Sequence, residues 1–240
     1  MTISPHPPLQ EFYAEPSQRE TFVRNIFDET APWYDFATQF MSFGSGSRYR
    51  REALQRAGLK RGMRVLDIAT GTGVVAREAI TITPHVVGLD PSYGMLAAGR
   101  AKAKLTNVQA KSESLPFAPQ SFDLITIGFA MRHFADLKHV FTECARVLRP
   151  GGRLLILEIT APESRVSRAL LGAYLGGIVP ALLAVISRSV KTARLLRYYW
   201  VTTRECVRPD VILDAMRASG FDASRHVEMS IFSEYSGLRP

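Results

Sequence analysis

Residues 63–90 read MRVLDIATGTGVVAREAITITPHVVGLD. MRVLDIA (63–69) and HVVGLD (85–90) are short apolar runs carrying an acid at or near their ends, Asp67 and Asp90. Between them Gly71 and Gly73 lead into VVAREAI, a helix-forming stretch. Strand, glycine turn, helix, strand is a βαβ unit, which demands parallel pairing and a right-handed crossover. Ligands of such sheets bind beyond the carboxyl ends of the strands. Asp67, Gly71, Thr72, Gly73 and Asp90 are therefore the first candidate site residues. The glycines let the backbone turn sharply and approach a ligand closely, and a carboxylate at Asp90 can accept both hydroxyl protons of a ribose.

Two ligands suit this layout. GTGVVA (71–76) formally matches the dinucleotide pattern G-x-G-x-x-G/A. The other is S-adenosyl-L-methionine (SAM), which Asp67 favours: a pyrophosphate gains nothing from a carboxylate at the turn, whereas a methionyl ammonium does.

The alternation continues outward. Helices are expected over 91–104, with Pro91 at the start, over 134–148 and over 208–221; strands are expected at 107–111, 122–130 and 153–160. HVEMSIFSEYSG (226–237) supplies one or two last strands. Upstream, Phe22, Ile26 and Phe27 have helical spacing and the loop FGSGS (43–47) divides a helical region. The fold class is α/β. We expect a flexible tail at 1–16 and one domain over 17–240. Within it lie a helical cap (17–58), a binding core (59–160), a helical lid (161–205) and a final helix with strands (206–240).

Length and composition agree with one large domain. Of 240 residues, 46% are hydrophobic and 22% charged, enough for a sizeable core and unlike a disordered chain. No signal peptide is expected at the start. Two cysteines, Cys144 and Cys206, give neither a disulfide framework nor metal-ligand spacing, so a reducing cytoplasm is expected and metal or hydrolytic chemistry has no support. The net charge is +8, and between 161 and 208 eight basic residues face two acids. Such a patch suits a solvated face, an anionic membrane surface or nucleic acid; no nucleic-acid motif accompanies it.

DIATGTG (67–73) resembles the first motif of the class I SAM-dependent methyltransferases, and SLPFAPQSFDLI (114–125) and RVLRPGGRLLILE (146–158) resemble later ones. VRNIFDETAPWYDFATQFMSFGSGSRYRR (23–51) and ITIGFAMRHFADLKHVFTECARVLRPGG (125–152) resemble segments of the ubiquinone/menaquinone C-methyltransferases. Phe27, Asp28, Ala31, Tyr34, Asp35, Ser42, Phe43 and Gly44 carry the match at the start. The resemblance implies a Rossmann-like, mostly parallel seven-stranded sheet with helices on both faces and an inserted lid. It implies SAM as cofactor and a lipophilic aromatic acceptor of quinol type. Met95 would pack on the adenine, Ser112 and Glu113 would lie beside it, and Tyr34 would line the boundary between cofactor and acceptor. Arg132 would stabilise a phenolate, while Asp35 or His133 takes its proton. Departures gather around the acceptor side. His133 replaces a usual Asn, Gly46 and Tyr49 a usual His and Trp, Tyr235 a usual His, Lys111 an Asn or Asp, and Gly128 a Ser.

Residues 169–187, ALLGAYLGGIVPALLAVIS, are long enough to cross a membrane. Pro180, three glycines and the lack of a returning span argue instead for two short helices broken near Pro180. These would form an apolar lid that dips into a membrane surface. Three functions stay open: C-methylation of a prenylated quinol, methylation of another aromatic metabolite or a phospholipid amine, and a non-catalytic SAM-binding scaffold. A homodimer is compatible with each.

Overall fold

The computed structural model describes residues 2–42, 44–229 and 231–240; Phe43, one of the residues carrying the resemblance, lies outside the described residues. Helices α1 (Arg19–Met41) and α2 (Gly46–Arg56) come first. Strands and helices then alternate through β1 (Val65–Ile68), α3 (Val74–Ile80), β2 (Val86–Asp90), α4 (Tyr93–Arg100), β3 (Thr106–Gln109), β4 (Phe122–Gly128), α5 (Leu137–Val147) and β5 (Leu148–Ile159). Helices α6 (Arg165–Ala173), α7 (Val179–Ser187) and α8 (Val190–Arg204) follow, then α9 (Pro209–Ala218) and the hairpin β6 (Asp222–Glu228) and β7 (Phe232–Leu238).

The seven strands form one sheet in the order β3-β2-β1-β4-β5-β7-β6. Pairs from β3 to β5 are parallel, while β7 runs antiparallel to both β5 and β6. This is the mostly parallel α/β sheet expected from the βαβ pattern. Fully buried Leu66, Ile68, Ile125 and Ile127 pack with Phe141, Cys144 and Met216 on one face. Val65, Leu124 and Leu157 pack with Leu54 and Ala76 on the other. The strand order reverses between β1 and β4, which opens a crevice at their carboxyl ends. Helix α4 is shorter than expected. Ser92 caps it, its hydroxyl accepting from the Met95 N–H at 3.1 Å, so Pro91 lies outside the first turn.

Two expectations fail. The first residues are not a loose tail. Leu9, Phe12 and Tyr13 are buried against Tyr198 and Val201. The Ile3 carbonyl accepts from Leu137 N–H at 2.9 Å and the Pro5 carbonyl from Val207 N–H at 2.7 Å. The proline-rich start has no helical or strand period, yet its apolar side chains find a partner surface and its backbone groups find partners.

Nor is the apolar stretch broken at Pro180. The chain stays helical from Arg165 to Ser187, 23 residues that include an 18-residue window with a mean hydropathy of 2.2. A π turn over Tyr174–Ile178 absorbs the proline: Val179 N–H donates to Tyr174 O, five residues back. Moving the ladder there removes the strain that a proline ring imposes on the preceding turn. Cβ atoms at Gly172 and Gly176 would lie 2.8 and 2.6 Å from the Trp200 indole, so these glycines let Trp200 lie flat on the helix. Leu175, Val179 and Leu183 face inward, the last two packing with Ala37 and Leu196.

Candidate active site

The β1–α3 turn is held from below by Asp67. Its carboxylate accepts from Thr70 Oγ1 and Thr126 Oγ1, both at 2.6 Å. Burial raises its pKa to about 6 against those hydrogen bonds. Asp67 therefore shapes the turn and does not line the cavity that opens above it. Asp90, at the end of β2, accepts from Gly71 N–H and Ser92 N–H, each at 2.8 Å. Burial pushes its pKa up to about 6. Gly71 has φ +56°, and its Cα faces Met95 closely: an added Cβ would sit 3.1 Å from Met95 Cε.

The cavity above these residues measures about 470 Å³. Tyr34, Gly71, Asp90, Met95, Ser112, Glu113 and His133 all line it. Ser112 Oγ bonds Glu113 Oε2 at 3.1 Å, and Glu113 Oε1 accepts from Ala135 N–H at 3.3 Å. Phe27, Phe129 and Phe134 complete an aromatic wall. Thr72 and Gly73 lie on the outer side of the turn, away from the cavity lining. Thr72 Oγ1 donates to Asp35 Oδ1.

Asp35 does not reach the cavity either. Arg77 and Lys102 each hold its Oδ2 at 2.8 Å. Burial works to raise its pKa, but the bonds from Lys102, Thr72 and Arg77 prevail and hold the carboxyl below its ordinary value. A carboxylate so engaged is a poor proton acceptor; it braces α1 against the glycine turn instead.

Arg132 is likewise turned away. It lies in a short 3₁₀ turn, Met131–His133, after β4. Its guanidinium pairs with Glu158, donates from Nε to Thr202 Oγ1 at 3.1 Å and stacks 3.8 Å over the Tyr199 ring. Burial works to lower its pKa, yet the Glu158 carboxylate outweighs it and raises the value. The guanidinium's Nη1 and Nε are committed to Glu158 and Thr202 and it does not line the cavity, so it is not placed to touch a phenolate.

Of Asp35, Arg132 and His133, only His133 lines the cavity. Its ring stacks on Tyr198 with centroids 5.3 Å apart, meets Phe27 edge-on, and places Nδ1 3.3 Å from the Tyr198 hydroxyl. Nε2 is buried without a hydrogen-bond partner. Burial first, then the charge of Arg132, lowers its pKa well below that of a free histidine, so the imidazole is neutral.

Several contributors escaped the sequence reading. Arg19 and Glu20 roof the cavity. Arg19 is fixed by His6 Nε2 and the Arg132 carbonyl, both at 3.1 Å. Asp28 clamps the start of α4, accepting from Ser92 Oγ at 2.6 Å and Gly94 N–H at 2.8 Å. It was visible only as one matched letter of a motif. Tyr198, Tyr199 and Trp200 pack under the N-terminal segment and α6–α7. Among the described residues none from 161–205 lines the cavity, because α1 stands between. The helices of 161–205 therefore touch α1 and, through Tyr198, His133, and not the cavity itself. Tyr235, expected at the rim, is buried in the sheet opposite Ile156. At Gly128 a Cβ would lie 2.5 Å from Val75, which explains the missing serine.

Residues 15–231 match the model of the ubiE/COQ5 methyltransferase family. The chain belongs to this family. It is a SAM-dependent methyltransferase. A ubiE/COQ5-type relative from Geobacter sulfurreducens, the ubiquinone/menaquinone biosynthesis C-methyltransferase UbiE, is 39% identical over 69% of each chain. The UbiE of Syntrophotalea carbinolica is 35% identical over 90% of this chain and 94% of its own. A demethylmenaquinone methyltransferase of Thermotoga maritima is 34% identical over 83% and 87%. Among solved structures, phosphoethanolamine N-methyltransferase 2 of Haemonchus contortus with SAM superposes at a TM-score of 0.65 and 20% identity, over 90% of this chain and 60% of that one. At that identity it speaks for the fold alone.

Proposed function

We propose that this ubiE/COQ5-family enzyme methylates a ring carbon of a prenylated quinol, as ubiquinone and menaquinone biosynthesis require. The observation that carries this reading is the neutral His133 imidazole with its unpartnered Nε2 on an aromatic wall, in the same cavity as Asp90 and Met95. The cavity fits the cofactor: Asp90 offers ribose acceptors, Gly71 allows close approach and Met95 presents a flat apolar surface. When bound, SAM supplies an electrophilic methyl.

A quinol hydroxyl gives its proton to His133 Nε2, and the phenolate electrons make the ortho carbon nucleophilic. Phe27, Phe129 and Phe134 exclude water and align the ring. The ring regains aromaticity when the proton of the methylated carbon passes to solvent water and His133 returns its proton to the ring oxygen, so that one proton is released per methyl transferred. Tyr198 holds the imidazole in place through Nδ1. Arg132 positions the turn that carries His133, and Asp35, Thr72 and Asp67 fix the cofactor turn from outside. Incubation with methyl-labelled SAM and a demethylquinol extract tests this; label absent from the quinone fraction, or present in a phospholipid amine, rejects it.

The enzyme works at an anionic lipid surface, on its cytoplasmic side, where tailed quinols reside. Val166, Leu170, Ile178, Leu182, Val185 and Ile186 on α6–α7 are 46–76% exposed, far more than isolated surface aliphatics. Trp33 and Phe36 of α1 are exposed as well, and Arg165 and Arg188 stand at the two ends of the helical stretch. An apolar stripe collared by cations suits an interfacial helix. Both cysteines are free, as in a reducing compartment.

A further inference from the structure

Phe129 follows the last residue of β4 and lines the cavity, yet its backbone is left-handed, at φ +58°. That region is open to glycine and costly for a bulky side chain, because Cβ crowds the following carbonyl. The chain has a local reason to bend there. Phe129 N–H donates to the Leu157 carbonyl of β5 at 2.7 Å, and the chain then leaves the sheet for the 3₁₀ turn Met131–His133. Glycine would make that bend without strain. The residue present is phenylalanine.

The surroundings hold the ring in place. Its centroid lies 6.4 Å from those of Tyr49 and Phe232, and these two rings meet at 4.8 Å. Tyr49 is buried on α2 and Phe232 opens β7, so two distant parts of the chain fix the Phe129 ring. The ring is only partly buried, because it also borders the cavity. Strained backbone persists where its surroundings over-determine it, and it gathers at ligand sites. Ala69, which follows the neighbouring strand β1, is the other left-handed residue besides glycine in the cavity lining among the described residues.

Position selects what that ring meets. The sheet runs β2-β1-β4, so Asp90, at the end of β2, and Phe129, after β4, lie on opposite sides of β1. Adenosine belongs on the side of Asp90 and Met95. His133, four residues past Phe129 on the turn that the left-handed bend begins, shares the other side. We propose that Phe129 is a specificity-determining residue for the acceptor: its ring is the platform on which the quinol ring lies, and the strained backbone holds it there. The proposal rests on the quinol reading of the cavity, and adds the residue that selects an aromatic acceptor.

Melting curves and steady-state kinetics on the full chain test both halves. At an ordinary position alanine is more stable than glycine. At 129 the order should reverse, with Phe129→Gly melting about 2–4 °C above Phe129→Ala. Phe129→Leu keeps the apolar bulk and the bend and removes the aromatic face. Its KM for a demethylquinol should rise about twofold to tenfold, the worth of an aromatic pair, with kcat changed less and affinity for S-adenosylhomocysteine the same. Phe129→Tyr, which keeps the face, should keep the native KM. Alanine melting above glycine overturns the strain. A native KM in Phe129→Leu overturns the platform, as does an equal loss of nucleoside affinity, which would assign the ring to the cofactor. A native protein that does not turn over the demethylquinol, with glycine still above alanine, overturns the acceptor reading and leaves the strained backbone standing.

Discussion

Arg132 and Glu158 form an ion pair closed to solvent, at 0% and 2% side-chain exposure, between the end of β4 and the end of β5. Arg132 Nη2 and Glu158 Oε2 are left without partners, so the pair is incompletely satisfied. Breaking such a pair strands a buried charge. Arg132→Met should lower stability by about 3–5 kcal/mol, and Glu158→Leu added to it should restore much of the loss. Urea unfolding reads both. A single variant as stable as the native protein would contradict the closed pair.

Asp90 should control cofactor affinity through its charge. Its carboxyl, lifted to about 6 by burial, must be ionised to accept ribose hydroxyls. Binding therefore weakens as pH falls through 6, by at most about tenfold per unit, and is level above 7. Asp90→Asn should bind S-adenosylhomocysteine poorly and with no such slope. Calorimetry between pH 5 and 8 would show it, and a native affinity independent of pH would refute it.

His133→Phe keeps the aromatic packing and removes the proton acceptor. The turnover number should fall by about 10²–10⁴, while affinity for S-adenosylhomocysteine stays within about threefold, since no cofactor contact depends on Nε2. Because burial holds the native imidazole neutral, turnover should not drop between pH 7.5 and 6.5 as a free histidine would make it. Equal loss of binding and turnover would assign His133 to packing instead.

Trp200 lies on two glycines, and filling either space should be felt. Gly176→Val should cost about 1–3 kcal/mol through overpacking. In a Trp33→Phe background, Trp200 emission should shift to the red as the indole leaves its seat. Unchanged emission and stability would disprove the contact.

Vesicles of anionic phospholipid should carry the native protein upward in flotation, and added salt should weaken the effect. Val185→Glu with Leu170→Glu should abolish flotation without lowering the melting point, since both side chains point outward. If the double variant instead turns a dimer into a monomer and flotation is absent throughout, the stripe is a contact between copies.

Much of the core was legible. The Asp67–Gly73 and Asp90 spacing gave the strand–turn–helix and the ligand end of the sheet, because glycine chemistry and strand period are local signals. Cavity-lining Asp90 and Met95 could be read, but Asp67 could not be told from a group of the lining, since its role depends on Thr126, 59 residues away. Arg132 misled for the same reason: its charge is visible in the sequence, and the Glu158 that cancels it is not. The N-terminal segment was missed because prolines erase periodicity, while Leu9, Phe12 and Tyr13 pack on α8, which no local pattern announces. Pro180 suggested a break because the π turn that accommodates it has no sequence signature.

That π turn also sets the phase of the outer surface. At 100° per residue, an uninterrupted helix would scatter Val166, Leu170, Ile178, Leu182, Val185 and Ile186 over about 200° of its circumference. The extra residue in the turn winds the second half back by about 100°, and all six then fall within about 100°. Deleting one residue between Tyr174 and Ile178 would restore an ordinary helix and split that surface in two. A helical wheel drawn straight through 165–187 makes the same error, showing a segment greasy all round where the folded chain has a single narrow keel.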